Sequence, residues 1–333
     1  LNYPGVIALM QMIPGFCYRL SIVDVFKRKM RHSMHIEHVK GNTFCIDTGM
    51  TYIPFYKMND QDIIMLDSGW AKGEREGLEA LLDKEAFIVK GIICTHSHID
   101  HIGNNTFLKE KYNCLIAMPA YEAQICSSTV NLKLYYNRHT LTDVEKYFGH
   151  MVCNTDIMIS DNQSSIFMHG IKFKILHTPG HSPAHICIST PDDVTYLGDC
   201  LITEVVMKGA KLPYAFILKE ALKSKEKLYT LNSCKYIVAH KGILEDIQEL
   251  ITENIEFYKK RANRVCEQIT YPMTMEDLMK LVVSKWGINI QSANKYIVIE
   301  RMLRYYVQYL YEIGEIELII QNGFLKYQKV LMV

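Results

Sequence analysis

Ile88-Val89-Lys90-Gly91-Ile92-Ile93-Cys94-Thr95-His96-Ser97-His98-Ile99-Asp100-His101-Ile102-Gly103 is an apolar run that ends in three imidazoles and a carboxylate. A strand entering a tight loop aims His96 and His98 at one point, because alternate side chains share a face; the turn beyond swings Asp100 and His101 toward a second point. Two adjoining metal sites are therefore expected. A single imidazole is more often structural than ligating, but His-x-His-x-Asp-His behind a strand has few structural uses.

Around this segment the chain reads as an ordinary soluble protein. Its 333 residues, 49% apolar and 22% charged, suffice for one large domain and a small second one. Thirty-seven basic residues against 36 acidic ones leave a formal charge of +1, which gives no global electrostatic case for nucleic acid or membrane. Ten cysteines without a Cys-x-x-Cys pair fit reduced thiols in a cytoplasmic protein. The apolar stretch Pro4 to Ile13 is short, has no basic residues before it and no small-residue cleavage site after it; no later stretch offers 18 uncharged apolar residues. Neither a signal peptide nor a membrane span is expected.

Strand-like text begins near Ile36, after the basic run Lys27-Arg28-Lys29, so residues 1–33 are expected to lie outside the main fold. Four runs from Ile36 to Leu66 read as an antiparallel meander ending in Asp67-Ser68-Gly69. Residues 119–150 read as helical and lid-like, with His139 and His150 at the surface. Later strands end in His or Asp, which gathers chemistry at one rim of a sheet. The main domain is expected over 34–266. After Tyr271-Pro272-Met273-Thr274, helices followed by a hairpin at Asn322-Gly323 describe a winged-helix-like module over 271–333. Seven basic and six acidic residues from Pro272 onward favour packing or homodimerisation of that module over DNA reading.

Three single positions complete the pattern: His181 after Thr178-Pro179-Gly180, Asp199 after Gly198, and His240 before Gly242. Together with Asp67 and the histidine cluster, their order resembles the metallo-β-lactamase-fold hydrolase superfamily over roughly residues 36–265. The resemblance implies an α+β fold, an αββα sandwich. It also implies a first metal held by His96, His98 and His181, a second held by Asp100, His101 and His240, and Asp199 bridging the two. Asp67 would orient a ligand imidazole, with Thr95 beside it, while His177 and His185 would support the His181 loop or touch substrate. Imidazole and carboxylate donors suit two zinc ions, and manganese or iron as well.

Three details narrow the branch. The β-lactam hydrolases of the superfamily carry a cysteine where Asp199 falls, and if Asp199 faces the metals, Cys200 faces away. That points to the glyoxalase II and lactonase-like members with a bridging acid. His98 occupies the slot of a glutamate in flavodiiron oxidoreductases. Asn104 stands where thiolester hydrolases have a second glycine after Gly103.

The chemistry so implied is hydrolysis of a small thioester, ester or lactone by a metal-bound hydroxide, since divalent ions lower the pKa of water from about 15.7 toward 7. Asp100 would align that nucleophile. A phosphodiesterase or ribonuclease of the same fold is the alternative, with Lys259-Lys260-Arg261 and Arg264 as its basic surface. A non-catalytic metal-binding regulatory protein is the third reading, disfavoured by the complete ligand set. The substrate is expected to be a small molecule, with no membrane partner and nucleic acid as the minority case.

Overall fold

A computed structural model describes residues 34–330, His139 excepted. The expectation for residues 1–33 and the placement of His139 fall outside the described residues. Strands β1 (His35–Lys40), β2 (Thr43–Asp47), β3 (Tyr52–Lys57) and β4 (Asp62–Leu66) form the antiparallel meander. β5 (Ile88–Ile93), β6 (Leu115–Pro119) and β7 (Ile157–Ile159) extend the same sheet in parallel. A second sheet joins β8 (Ser165–Met168), β9 (Ile171–His177), β10 (Ile186–Ser189), β11 (Val194–Tyr196), β12 (Lys235–Val238) and β13 (Gly242–Leu244), antiparallel except between β11 and β12.

Strand periodicity explains the layers. On β4, Ile64 and Leu66 face the second sheet and meet Ile186, Ile188 and Ile237, while Ile63 and Met65 face outward. Leu78, Leu82, Leu108, Leu132, Tyr136, Val144 and Phe148 cover that outer face, from helices at Ala71–Lys84, Asn105–Tyr112, Thr129–Tyr136 and Leu141–Phe148. On the other side Cys187, Tyr236 and Val238 pack on Ile247 and on Ile251 of the helix Gln248–Gln268. Strands apolar on both faces need cover on both faces, and the result is the αββα sandwich expected. The segment expected to be lid-like holds the helices Ala120–Ile125, Thr129–Tyr136 and Leu141–Phe148, which belong to this outer layer. His150 is half-buried rather than at the surface, and its burial lowers its pKa to about 4.

The C-terminal segment consists of helices Met275–Lys285 and Ala293–Glu312 followed by the hairpin β14 (Ile316–Gln321) and β15 (Phe324–Lys329). Positive φ at Asn322 and Gly323, 53° and 76°, gives the tight turn that the Asn-Gly pair anticipates. Its apolar faces do not close on themselves alone: Leu278, Leu303, Leu310, Ile316 and Tyr327 share one core with Leu212, Leu218, Leu222 and Tyr258.

Candidate metal centre

The seven residues singled out as ligands come from four separate parts of the chain and meet at one rim of the sandwich. All are 8% exposed or less. His96 and His98 follow β5, Asp100 and His101 lie in the short helix Ile99–Ile102, His181 follows β9, Asp199 follows β11 and His240 follows β12. They form two sets, His96, His98, His181 and Asp199, and Asp100, His101, Asp199 and His240, with donor atoms in each set within 4.8 Å of one another.

Two glycines make this approach sterically feasible. At Gly180, φ is +123° and a Cβ would stand 2.0 Å from the Ala221 nitrogen, so only glycine lets the His181 loop lie against the helix Leu218–Lys227. At Gly198 a Cβ would stand 2.6 Å from His185 Nε2. The space so kept lets His185 Nε2 accept the Asp199 backbone N–H at 3.1 Å, while its Nδ1 bonds Thr178 Oγ1 at 2.9 Å.

The hydrogen bonds behind the ligands select tautomers. Asp67, at φ +64° beyond β4, accepts from Thr95 N–H at 2.7 Å and from Thr95 Oγ1 at 2.8 Å; His101 Nδ1 donates to it at 2.7 Å. Thr95 Oγ1 in turn accepts from His96 Nδ1 at 2.9 Å. These contacts put a proton on Nδ1 of His96 and of His101 and aim Nε2 of each inward. His98 is reversed: its Nε2 bonds the Tyr135 hydroxyl at 3.0 Å, and its Nδ1 faces His96 Nε2 at 2.9 Å and His181 Nε2 at 3.0 Å.

Three imidazole nitrogens at that separation need a cation or a shared proton among their lone pairs. In the second set, His101 Nε2, both Asp100 oxygens and Asp199 Oδ1 are buried and take part in no hydrogen bond. Asp199 Oδ1 lies 3.3 Å from His240 Nε2 and 3.4 Å from His101 Nε2, and its Oδ2 lies 3.2 Å from His181 Nε2. Asp199 thus addresses both sets, one oxygen to each. Orphaned buried donors of this kind fit divalent cations.

Electrostatics separates the halves. Burial and neighbouring imidazoles push His96 and His98 well below the usual histidine range, and burial lowers His181 to about 4. Burial opposes charge on His101 and His240 too, yet Asp199 and Asp100 raise both, with Asp67 adding to the effect at His101. Burial raises the Asp100 carboxyl, whereas His240, His101 and His181 outweigh burial and hold Asp199 well below its usual range. Two buried carboxylates require positive charge between them, and protonated imidazoles supply it where a metal does not.

The other sequence-selected residues are placed as follows. His185 braces the Asp199 loop, and His177 Nε2 donates to the Gln163 carbonyl at 2.8 Å, away from the ligand atoms. Cys200 points away from the centre into the cluster with Cys187 and Leu197. Asn104 ties the histidine loop to the end of β4, donating to the Ser68 carbonyl at 2.8 Å and accepting from Arg75 Nε at 3.0 Å. Arg261 donates to the Ala210 carbonyl and Arg264 lies 4.5 Å over Trp286, so half of the basic run is engaged in internal packing.

Sequence reading missed three contributors. Glu122, wholly buried on the helix Ala120–Ile125, joins the two histidine loops: Oε2 accepts from Ser97 N–H at 3.0 Å and Ser97 Oγ at 2.6 Å, and Oε1 from Ser182 Oγ at 2.6 Å and Ala184 N–H at 2.8 Å. Buried Glu74 accepts from Thr48 Oγ1 and from Trp70 N–H, and burial lifts its carboxyl to about 7. Tyr214, with Tyr135, walls the first set.

A family model described as the metallo-beta-lactamase superfamily matches residues 46–240. The chain is 34% identical over 128 residues to an uncharacterized protein of Aquifex aeolicus (strain VF5), covering 38% of this chain and 53% of that one. It is 28% identical over 149 residues to hydroxyacylglutathione hydrolase GloC of Haemophilus influenzae, covering 43% of this chain and 63% of that one. The chain therefore spans between half and two-thirds of the length of these two relatives. A metallo-beta-lactamase family protein from Thermus thermophilus superposes with a TM-score of 0.62 at 16% identity, over 90% of this chain and 99% of the other, a likeness of fold. Coverage that large takes in part of the C-terminal segment.

Proposed function

Because this chain belongs to the metallo-beta-lactamase superfamily, we propose that it is a metal-dependent hydrolase acting on a small thioester, ester or lactone. The observation that carries the proposal is the convergence of the two donor sets on Asp199. His96, His98 and His181 would hold one divalent ion and Asp100, His101 and His240 the other, with zinc preferred and manganese or iron suited to the same donors. Such a pair of ions acidifies water near neutral pH and polarises a carbonyl oxygen.

The chain's own residues supply the rest. Asp100, buried beside Asp199, would orient the attacking water as well as hold an ion. Asp67 and Thr95 fix the imidazoles of His101 and His96, and His185 fixes the backbone of Asp199, so the donors are preorganised. The relatives named as hydroxyacylglutathione hydrolases support a thioester, and a bridging acid rather than a cysteine supports a substrate other than a β-lactam. Among the described residues no helix is long and apolar enough to cross a membrane. A cytoplasmic setting, a small-molecule substrate and a homodimer through the C-terminal module complete the proposal.

The test is metal analysis joined to a panel of a glutathione thioester, a lactone and bis-(p-nitrophenyl) phosphate. Two ions per chain, thioester or lactone turnover, and a loss of several orders of magnitude in Asp100→Asn with the fold intact are expected. Turnover of the phosphodiester alone would move the assignment to the phosphodiesterase branch. Fewer than two ions after loading with zinc, manganese and iron in turn would remove the dinuclear reading.

A further inference from the structure

The helix Ala293–Glu312 carries one guanidinium to the metal centre. Arg301 is 4% exposed, and no carboxylate among the described residues pairs with it; its Nε and Nη2 meet no acceptor. It lies instead among three aromatic rings, with Cζ 5.1 Å from the ring centre of Tyr136, 5.5 Å from Tyr214 and 5.9 Å from Tyr135. Its Nη1 donates to the Tyr135 carbonyl at 3.3 Å. A desolvated guanidinium is held by the electron-rich faces of such rings and fixes them in return.

Two of those rings touch the first donor set. The Tyr135 hydroxyl is 3.0 Å from His98 Nε2 and 3.3 Å from the Tyr214 hydroxyl. The Tyr214 ring lies 5.0 Å from that of His98 and 5.3 Å from that of His181. With Nδ1 of His98 facing the centre, its Nε2 carries the ring proton and donates to Tyr135, which can pass its own proton toward Tyr214. A ligand imidazole anchored through its second nitrogen is fixed in tautomer and in rotation.

We infer that Arg301 is a positioning residue that, by fixing Tyr135 and Tyr214, holds His98 and His181 in the geometry that binds the first metal. The inference rests on the ligand assignment proposed above. It gives the C-terminal segment a part in the site: the second donor set, reached by none of these three tyrosine contacts, is independent of it.

Metal affinity separates this role from plain packing. Cobalt(II) is titrated into chelator-treated protein against a competing chelator in two backgrounds, His240→Ala, which keeps the first set, and His181→Ala, which disables it. Arg301→Met strands no carboxylate. It should weaken cobalt about 10- to 100-fold in the His240→Ala background and shift the visible band, with less than about a threefold effect in the His181→Ala background. Tyr135→Phe, which removes a single hydroxyl, should reproduce the selective loss if Arg301→Met does not fold. Arg301→Lys, which keeps a cation among the rings, should recover part of it. Equal weakening in both backgrounds, or no weakening by either Arg301→Met or Tyr135→Phe, overturns the inference while leaving the ligand assignment intact. Full chain that takes up no cobalt at all overturns the ligand assignment and the inference together.

Discussion

Replacing Glu122 by glutamine isolates the strut between the two histidine loops. Each carboxylate oxygen serves one loop, Oε2 the Ser97 turn and Oε1 the Ser182–Ala184 turn, and each accepts one backbone N–H and one hydroxyl. A glutamine keeps one oxygen and presents an NH2 to the other loop. The hydroxyl there can rotate to accept, but the backbone N–H of Ser97 or Ala184 cannot, and it is left buried without an acceptor. Such a group costs about 1–3 kcal/mol, and losing the charge of the acceptor weakens the surviving bonds further, so about 3 kcal/mol is expected in all. For a chain of 333 residues, at about 2.1 cal/mol/K of unfolding entropy per residue, that is a fall of roughly 4–5 °C in Tm. The loops it joins carry His96, His98 and His181, so the first metal should also bind about 10-fold more weakly. Thermal melts of the metal-free protein and chelator competition measure the two effects. A melt within 1 °C of the parent (about 0.7 kcal/mol), with unchanged metal affinity, would refute the strut.

Asp199→Asn should lower occupancy of both metal positions, since one oxygen faces each set, whereas Cys200→Ser should change neither; the reverse pattern in metal analysis would show that the bridge is misassigned. Burial raises the Glu74 carboxyl from 4.5 to about 7, so within that interval the folded chain keeps a proton that the unfolded chain has released. The stability of metal-free protein should therefore fall by about 3 kcal/mol as pH rises through the interval, and Glu74→Gln should flatten the slope. Urea titrations at several pH values test this, and an unchanged slope in Glu74→Gln would exclude Glu74 as its source. Removing residues 271–333 uncovers Leu212, Leu218, Leu222 and Tyr258, and should give insoluble protein or a melt lowered by well over 10 °C, an effect of several kcal/mol. A soluble truncation that melts cooperatively near the parent temperature would show that the main domain stands alone.

The ligand set was legible because its signals are local. His96 to His101 form one contiguous pattern, and His181, Asp199 and His240 each follow an apolar strand and sit beside a glycine. Asp67 was legible through the family resemblance as the residue that orients a ligand imidazole, and the structure gives it contacts to Thr95 and His101. Glu122 was not legible: its partners lie 25 residues before it and 60 or more after it, and its helix of six residues is too short for a periodic pattern. The same shortness hid the helix Glu204–Gly209 and the three-residue strand β13. Arg301 carried no signal because a cation at one helical position reads as solvated, and its aromatic surroundings are assembled from distant parts of the chain. Periodicity likewise marked the apolar faces after Pro272 without telling what they cover.

The core shared by the C-terminal helices and residues 202–222 also has a temporal meaning during synthesis. All the residues proposed as metal ligands precede residue 241, so the metal rim can leave the ribosome complete, but Leu222 emerges roughly 90 residues ahead of Leu310, which closes over the same cluster. At about 5–20 residues per second that interval is roughly 5–20 s. For that time a nascent chain carries an apolar flank with nothing over it, long enough for chaperone capture or association with a neighbouring chain. Residues 271–330 thus supply the step that ends its exposure to both.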